Sequence, residues 1–118
     1  MLAVTSSLHE GRDGRAHLVV RIEGDVSMST LPKLTDFLNR ELAAATSPTV
    51  ILDIDSVGVL DDAGLGILMG FAGRVRASGR SVAVVASVAR LRQRIDETGF
   101  DRAVGVASSI LDAGRIAR

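Results

Sequence analysis

Apolar positions alternate with polar ones at the start of the chain, at Leu2, Val4 and Leu8, and again over Ala16–Glu23, where Leu18, Val20 and Ile22 share one side. Between the two runs lies Glu10-Gly11-Arg12-Asp13-Gly14, a cluster of turn formers. A period of two on both sides of a glycine-bearing turn predicts an antiparallel hairpin, ended at Gly24. The period then changes. Across Met28–Ala45 the leucines at 31, 34, 38 and 42 recur at helical steps, with Lys33, Asp36, Arg40 and Glu41 mostly off the stripe. This predicts an amphipathic helix with Pro32 in its first turn, where the missing N–H costs nothing, and with Ser29 or Thr30 as cap.

The next segment, Thr49–Ile54, reads TVILDI. A nearly unbroken apolar run of strand length is the mark of a strand covered on both faces, as in parallel sheets. Val57–Leu60 stays apolar but is interrupted at Gly58 and reads as a loop leading to Asp61-Asp62-Ala63-Gly64. A second helical pattern follows through Leu65, Leu68, Ala72 and Val75, and ends near Ser78-Gly79, where glycine suits a left-handed exit. Ser81–Val85 is a further buried strand. Val88, Leu91 and Ile95 mark a third helix closed by Gly99, Ala103–Val106 a short last strand, and Ser108–Arg118 a terminal helix. The expected order is β-β-α-β-α-β-α-β-α. It describes one α/β domain over residues 1–118, with a mixed, mostly parallel sheet of four to five strands, an N-terminal edge hairpin and about four helices.

Composition narrows the function. Of the residues, 47% are hydrophobic but only 3% aromatic, without Trp or Tyr, so an aliphatic core is expected and the scarcity of stacking side chains argues against single-stranded nucleic acid as a ligand. The 14 basic and 14 acidic residues cancel, so no basic face is expected and direct nucleic-acid binding is not predicted. Without cysteine there is no disulfide framework, thiolate metal site or cysteine nucleophile. The chain does not open on a basic segment followed by an apolar run, and its apolar stretches are only strand-length. No membrane span and a cytoplasmic location are the expectation.

Several chemistries fail on spacing. Gly64, Gly66 and Gly70 form G-x-G-x-x-x-G, which is not the dinucleotide fingerprint, and no G-K-[ST] triplet is present. Together with Gly73 these glycines are expected to let a helix approach the sheet. His9 and His17 fall in the hairpin as exposed strand residues, and two ligands without a third make a poor metal site. Asp53 and Asp55 alternate on a strand, and a phosphoaccepting receiver domain would pair such carboxylates with a lysine late in the chain. The only lysine is Lys33. No cofactor or metal is predicted. What remains is Asp61 and Asp62 ahead of a helix, where unpaired N–H groups favour a carboxylate. Either both aspartates cap and solubilise the helix, or one caps it and the other is held outward on a rigid support.

The segments from Val50–Ile54 through Val57 and Leu60 to Asp61-Asp62-Ala63-Gly64-Leu65-Gly66 resemble the STAS family, whose pattern runs from a V-[VIL]-L-D-[LI] strand to D-S-[SA]-G-L-G at a helix start. Val20–Val26, Ala77–Arg80 with the strand after it, and Val88–Phe100 resemble further motifs of that family in the same order. The resemblance covers nearly the whole chain. It implies a bacterial anti-sigma factor antagonist that is not an enzyme and acts by protein binding. Its partner would be an anti-sigma factor, often of kinase-like ATPase fold, and partner switching would free a sigma factor to regulate transcription. The implied partner-binding residues are Asp25, Ser27, Ser29, Thr30, Val59, Asp61, Asp62, Ala63, Gly64 and Leu65. The family's phosphoacceptor serine falls on Asp62, which has no hydroxyl to phosphorylate, and Ser27 stands where Asp is usual. The alternative role is a STAS subunit of a lipid-transport or stress-sensing complex.

Overall fold

The computed structural model describes residues 1–11, 14–44 and 46–118. The hairpin is present: β1 (Leu2–Glu10) pairs antiparallel with β2 (Ala16–Val26) in unbroken register from Leu2 opposite Gly24 to Glu10 opposite Ala16. Part of the expected turn, Arg12-Asp13, lies outside the described residues. Helix α1 covers Leu31–Ala44, later than the expected start at Met28, and the expected end at Ala45 also lies outside the described residues. The Thr30 hydroxyl does not cap it. That hydroxyl accepts from the Ser27 backbone N at 3.0 Å and donates to the Asp25 carbonyl at 2.8 Å, so it closes the loop before the helix instead.

Strand β3 spans Thr49–Leu60, longer than expected, because Val57–Leu60 is strand and not loop. Gly58 does not break it. The parallel pairing of β2 and β3 absorbs two register shifts, between Arg21 and Glu23 and between Gly24 and Val26, and resumes with Val26 opposite Leu60. Such irregularities bend a strand without ending it. Then follow α2 (Asp62–Ala77), β4 (Ser81–Val85), α3 (Ala89–Thr98), a single-turn α4 (Phe100–Ala103), β5 (Gly105–Ala107) and α5 (Ile110–Ile116). The extra turn α4 was not legible as a separate element. Gly99, at φ +77°, closes α3 in the left-handed region and at once begins α4.

The sheet runs β1-β2-β3-β4-β5, antiparallel at the first pair and parallel thereafter. Each parallel strand lies beside its predecessor, so every crossover steps the same way. A common hand then places α1, α2 and α3 on one face. That face is the main core, where Leu18, Val20, Ile22, Val50, Leu52 and Ile54 meet Leu34, Leu38, Leu68, Phe71, Leu91 and Ile95. The opposite face is covered only in part. There a smaller cluster of Val19, Ile51, Ala83, Val85 and Ala107 packs on Ala113 of the seven-residue α5.

His17 belongs to this second face and is buried, contrary to the expectation of an exposed histidine. Alternation puts it beside Val19, under α5, where the ring fills the space opened by the missing side chain of Gly114. The helix glycines also divide. Gly64 approaches the sheet, whereas Gly66, Gly70 and Gly73 face open space and are not packing glycines.

Candidate functional site

Three connections leave the C-terminal ends of neighbouring parallel strands and so meet at one end of the sheet: β2 to α1, β3 to α2, and β4 to α3. The middle one is held most firmly. Asp61 is the N-cap of α2, with extended backbone and its Oδ1 accepting from the Gly64 N at 2.8 Å. Its own N–H donates to the Val26 carbonyl at 3.1 Å. The cap is thereby tied to both helix and sheet. Gly64 completes this, because a Cβ there would run into the Val26 side chain and would lie 3.3 Å from Asp61 Oδ1.

With Asp61 turned inward, residue 62 must point out. Asp62 opens α2 with its side chain 91% exposed, and its Oδ1 accepts from Nη2 of Arg94 at 2.7 Å. Arg94 lies on α3, and its Nε is buried without a partner among the described residues. One turn earlier on α3, Arg90 donates to the carbonyls of Gly58 at 2.8 Å and Val57 at 3.4 Å. Asp55 accepts from both the backbone N of Ser87, at 2.6 Å, and its hydroxyl, at 2.8 Å. The end of β3 is thus tied to the connection before α3 by the Asp55 carboxylate and to α3 itself by Arg90, while Arg94 ties α3 to the start of α2.

The candidate residues separate accordingly. Asp25, Ser29, Val59, Asp62 and Ala63 are exposed, and Ser27, Thr30 and Asp61 are half-buried. Gly64 and Leu65 are buried, so they are corrected from contact surface to support: Leu65 packs in the main core, at the first inward position of α2. Sequence reasoning missed Arg90 and Arg94, which on their own helix are simply polar positions off the apolar stripe. It also missed Met28 and Val88, exposed apolar tips on the two connections flanking Val59. Asp53 takes no part. It is buried on the other face, where Arg21 Nε donates to its Oδ2 at 3.2 Å.

The STAS domain model matches residues 10–113. The chain belongs to the STAS domain family. Solved structures agree on the fold. An anti-sigma factor antagonist from Mycobacterium paratuberculosis is 24% identical, with 98% of this chain and 92% of that one covered at a TM-score of 0.84. The antagonist SpoIIAA, in its unphosphorylated form, is 13% identical, with 97% and 96% covered at 0.72. A sulfate transporter family protein from Wolinella succinogenes is 24% identical, with 78% and 76% covered at 0.66. No match is found among curated proteins. In the STAS fold of this chain, no described helix is long and apolar enough to cross a membrane.

The two aspartates are expected to differ in their effect on stability. Asp61→Ala removes a helix cap and should cost about 1 kcal/mol. Asp62→Ala removes only an exposed ion pair and should cost between about 0 and 1 kcal/mol, at the low end for so open a site. Urea midpoints of the two variants check the order, and a larger loss at Asp62 would contradict the assignment of the cap to Asp61.

Proposed function

We propose that this STAS domain is an anti-sigma factor antagonist of a bacterial cytoplasm, acting by protein binding and not by catalysis. Its docking surface is the end of the sheet where Asp61 caps α2 and turns Asp62 outward. That arrangement carries the reading, since it presents one fixed side chain at a helix N-terminus on a rigid support. The names of two structural neighbours, both anti-sigma factor antagonists, support it. SpoIIAA has also been solved in a phosphorylated form. By the motif resemblance the family's phosphoacceptor serine falls on Asp62 in this chain, and on that reading there is no hydroxyl to take up phosphate.

The bond from Arg94 bears on what Asp62 does in place of that serine. A carboxylate has about one charge where a phosphoserine has nearly two, and two acceptor oxygens where the phosphate has three. Here the single charge already has a cation at 2.7 Å. Asp62 is therefore not a free imitation of phosphoserine. It is part of a surface to which the partner is adapted, in an antagonist that phosphorylation at this position does not switch off.

The experiment is a pull-down from the source bacterium with partners identified by mass spectrometry, followed by binding constants for wild type, Asp62→Ser and Asp62→Ala. An anti-sigma factor, of kinase-like ATPase fold or otherwise, is the expected partner, and Asp62→Ser should weaken its binding by about three- to tenfold. Tighter binding by Asp62→Ser, reversed by kinase and ATP, would instead make Asp62 a phosphoserine mimic. Recovery of a transporter ATPase or a stress-sensing assembly in place of an anti-sigma factor would overturn the reading.

A further inference from the structure

The second face of the sheet is only half covered. Helix α5 lies over β3, β4 and β5, and beside it the same face of β1 and β2 is left as a trough. Its wider part is a cavity of about 390 Å³ between Ile110, Leu111 and Gly114 of α5 and the hairpin residues His9 and His17. Glu10 and Arg115 stand at its mouth. A smaller hollow of about 170 Å³ continues along the strands past Thr5, Ser7, Val19 and Arg21, sharing His9 and Ile110 with the first. From His17 to Arg21 the strand rises about 13 Å, so the two hollows form one trough roughly the length of a small organic ligand.

We propose that this trough binds a small amphipathic acid, a carboxylate with a flat or extended apolar body. A concave site with apolar walls and a few convergent polar groups is the usual form of a small-molecule site. The apolar wall is Val19, Ile110 and the half-exposed Leu111. The polar end is assembled by register: Thr5 lies directly across from Arg21, and Ser7 across from Val19, all on one face. Arg21 is held in place through its Nε by the buried Asp53, and among the described residues Asp53 is its only hydrogen-bond partner. Its remaining N–H groups and the Thr5 hydroxyl match a carboxylate in geometry, while the Ser7 hydroxyl already shares a hydrogen bond with His9 Nε2 at 3.0 Å and can add its remaining hydrogen-bonding capacity. Because Asp53 offsets the charge of Arg21, recognition rests on directed hydrogen bonds and not on net attraction. The other end carries opposite charges, Glu10 and Arg115, and Arg115 itself lies 3.8 Å from Asp112. That balance gives an anion no preference for this end, so the acid group belongs at Arg21 and the body along α5. The depth of the wide part depends on Gly114. An alanine Cβ there would meet the His17 ring at 2.6 Å and push ring or helix into the cavity.

The test uses the full chain, free of any partner, titrated with 4-phenylbutyrate and with its neutral amide while backbone amide resonances are followed. The acid should bind saturably at about 1 mM or tighter, with the largest shifts at Thr5, Ser7, Val19, Arg21 and Gly114, and the amide about tenfold more weakly. Leu111→Glu, a half-exposed position that leaves the fold intact, should weaken the acid about tenfold. The proposal is overturned by equal binding of acid and amide, by no saturable shift up to about 10 mM, by an undiminished response in Leu111→Glu, or by shifts centred on Asp25–Thr30. Shifts of these residues with phosphatidylglycerol vesicles but not with the soluble acid would overturn it too, because a membrane and not a free acid would then be the ligand.

Discussion

Phe71→Ala should lower the unfolding free energy by about 3–5 kcal/mol, the range for deleting a fully buried phenyl group. Phe71 sits in the middle of α2, 1% exposed, on the face that meets the sheet. Its neighbours cannot readily fill the space. Only three residues of the chain are aromatic, all of them phenylalanine, and the surrounding core is built from short, branched or unbranched aliphatic groups fixed on strands and helices. A domain of this size has about 5–15 kcal/mol in all, so the variant would stand near the edge of folding at ambient temperature. Phe37→Ala is the comparison. Phe37 is only half-buried on α1, where its ring also has Arg40 at 6.0 Å from the centroid, and its loss should be clearly the smaller. Guanidinium unfolding of the two variants gives the answer. A loss at Phe71 below that at Phe37 would mean that α2 does not depend on the core as described.

Val59→Asp should weaken binding of the proposed anti-sigma partner by at least about 30-fold, corresponding to roughly 2 kcal/mol, while leaving stability nearly unchanged. Val59 is 50% exposed near the end of β3, Met28 is 72% exposed on the connection after β2, and Val88 is 37% exposed on the connection after β4. Three neighbouring parallel strands thus each end in an exposed apolar tip, flanked by Asp25, Asp61 and Asp62. Interfaces concentrate their energy in a desolvated apolar centre with a charged rim. A carboxylate at Val59 would be buried unpaired on docking and would add to the acidic groups already present. Leu8→Asp is the control: it is also an exposed apolar residue, but it pairs with Leu18 at the far end of the hairpin and should leave binding unaffected. Comparable losses at Leu8 and Val59 would place the docking surface elsewhere.

Much of the fold was legible in the chain because hydrophobic period reports local geometry. TVILDI could be read as a strand covered on both faces because Ile51 and Leu52 point to opposite cores and both must be apolar. The pair Asp61-Asp62 could be read as a helix start because capping is a local hydrogen bond between residues three apart. The places where the reading failed are those where a distant residue overrides a local preference. Gly58 suggested a break, yet parallel pairing with β2 carries β3 on to Leu60. Thr30 suggested a cap, yet its hydroxyl is engaged by the loop. Leu65 follows the motif as closely as Ala63 does, but one is buried and the other exposed, and only the rotation of α2 against the sheet decides which.

The sequence alone determined the class, the order of elements apart from the single turn α4, the aliphatic core and the identity of the residue that stands at the start of α2, since each follows from local period, capping or composition. It also determined that residue 62 cannot be phosphorylated as a serine would be. Only the tertiary structure decided that Asp62 is paired with Arg94, that His17 is buried beneath Gly114, and that the face beside α5 is left as a trough. Each of these joins residues at least 32 positions apart, and no local pattern records such a contact, because it depends on how helices are laid across a sheet whose register is set elsewhere in the chain.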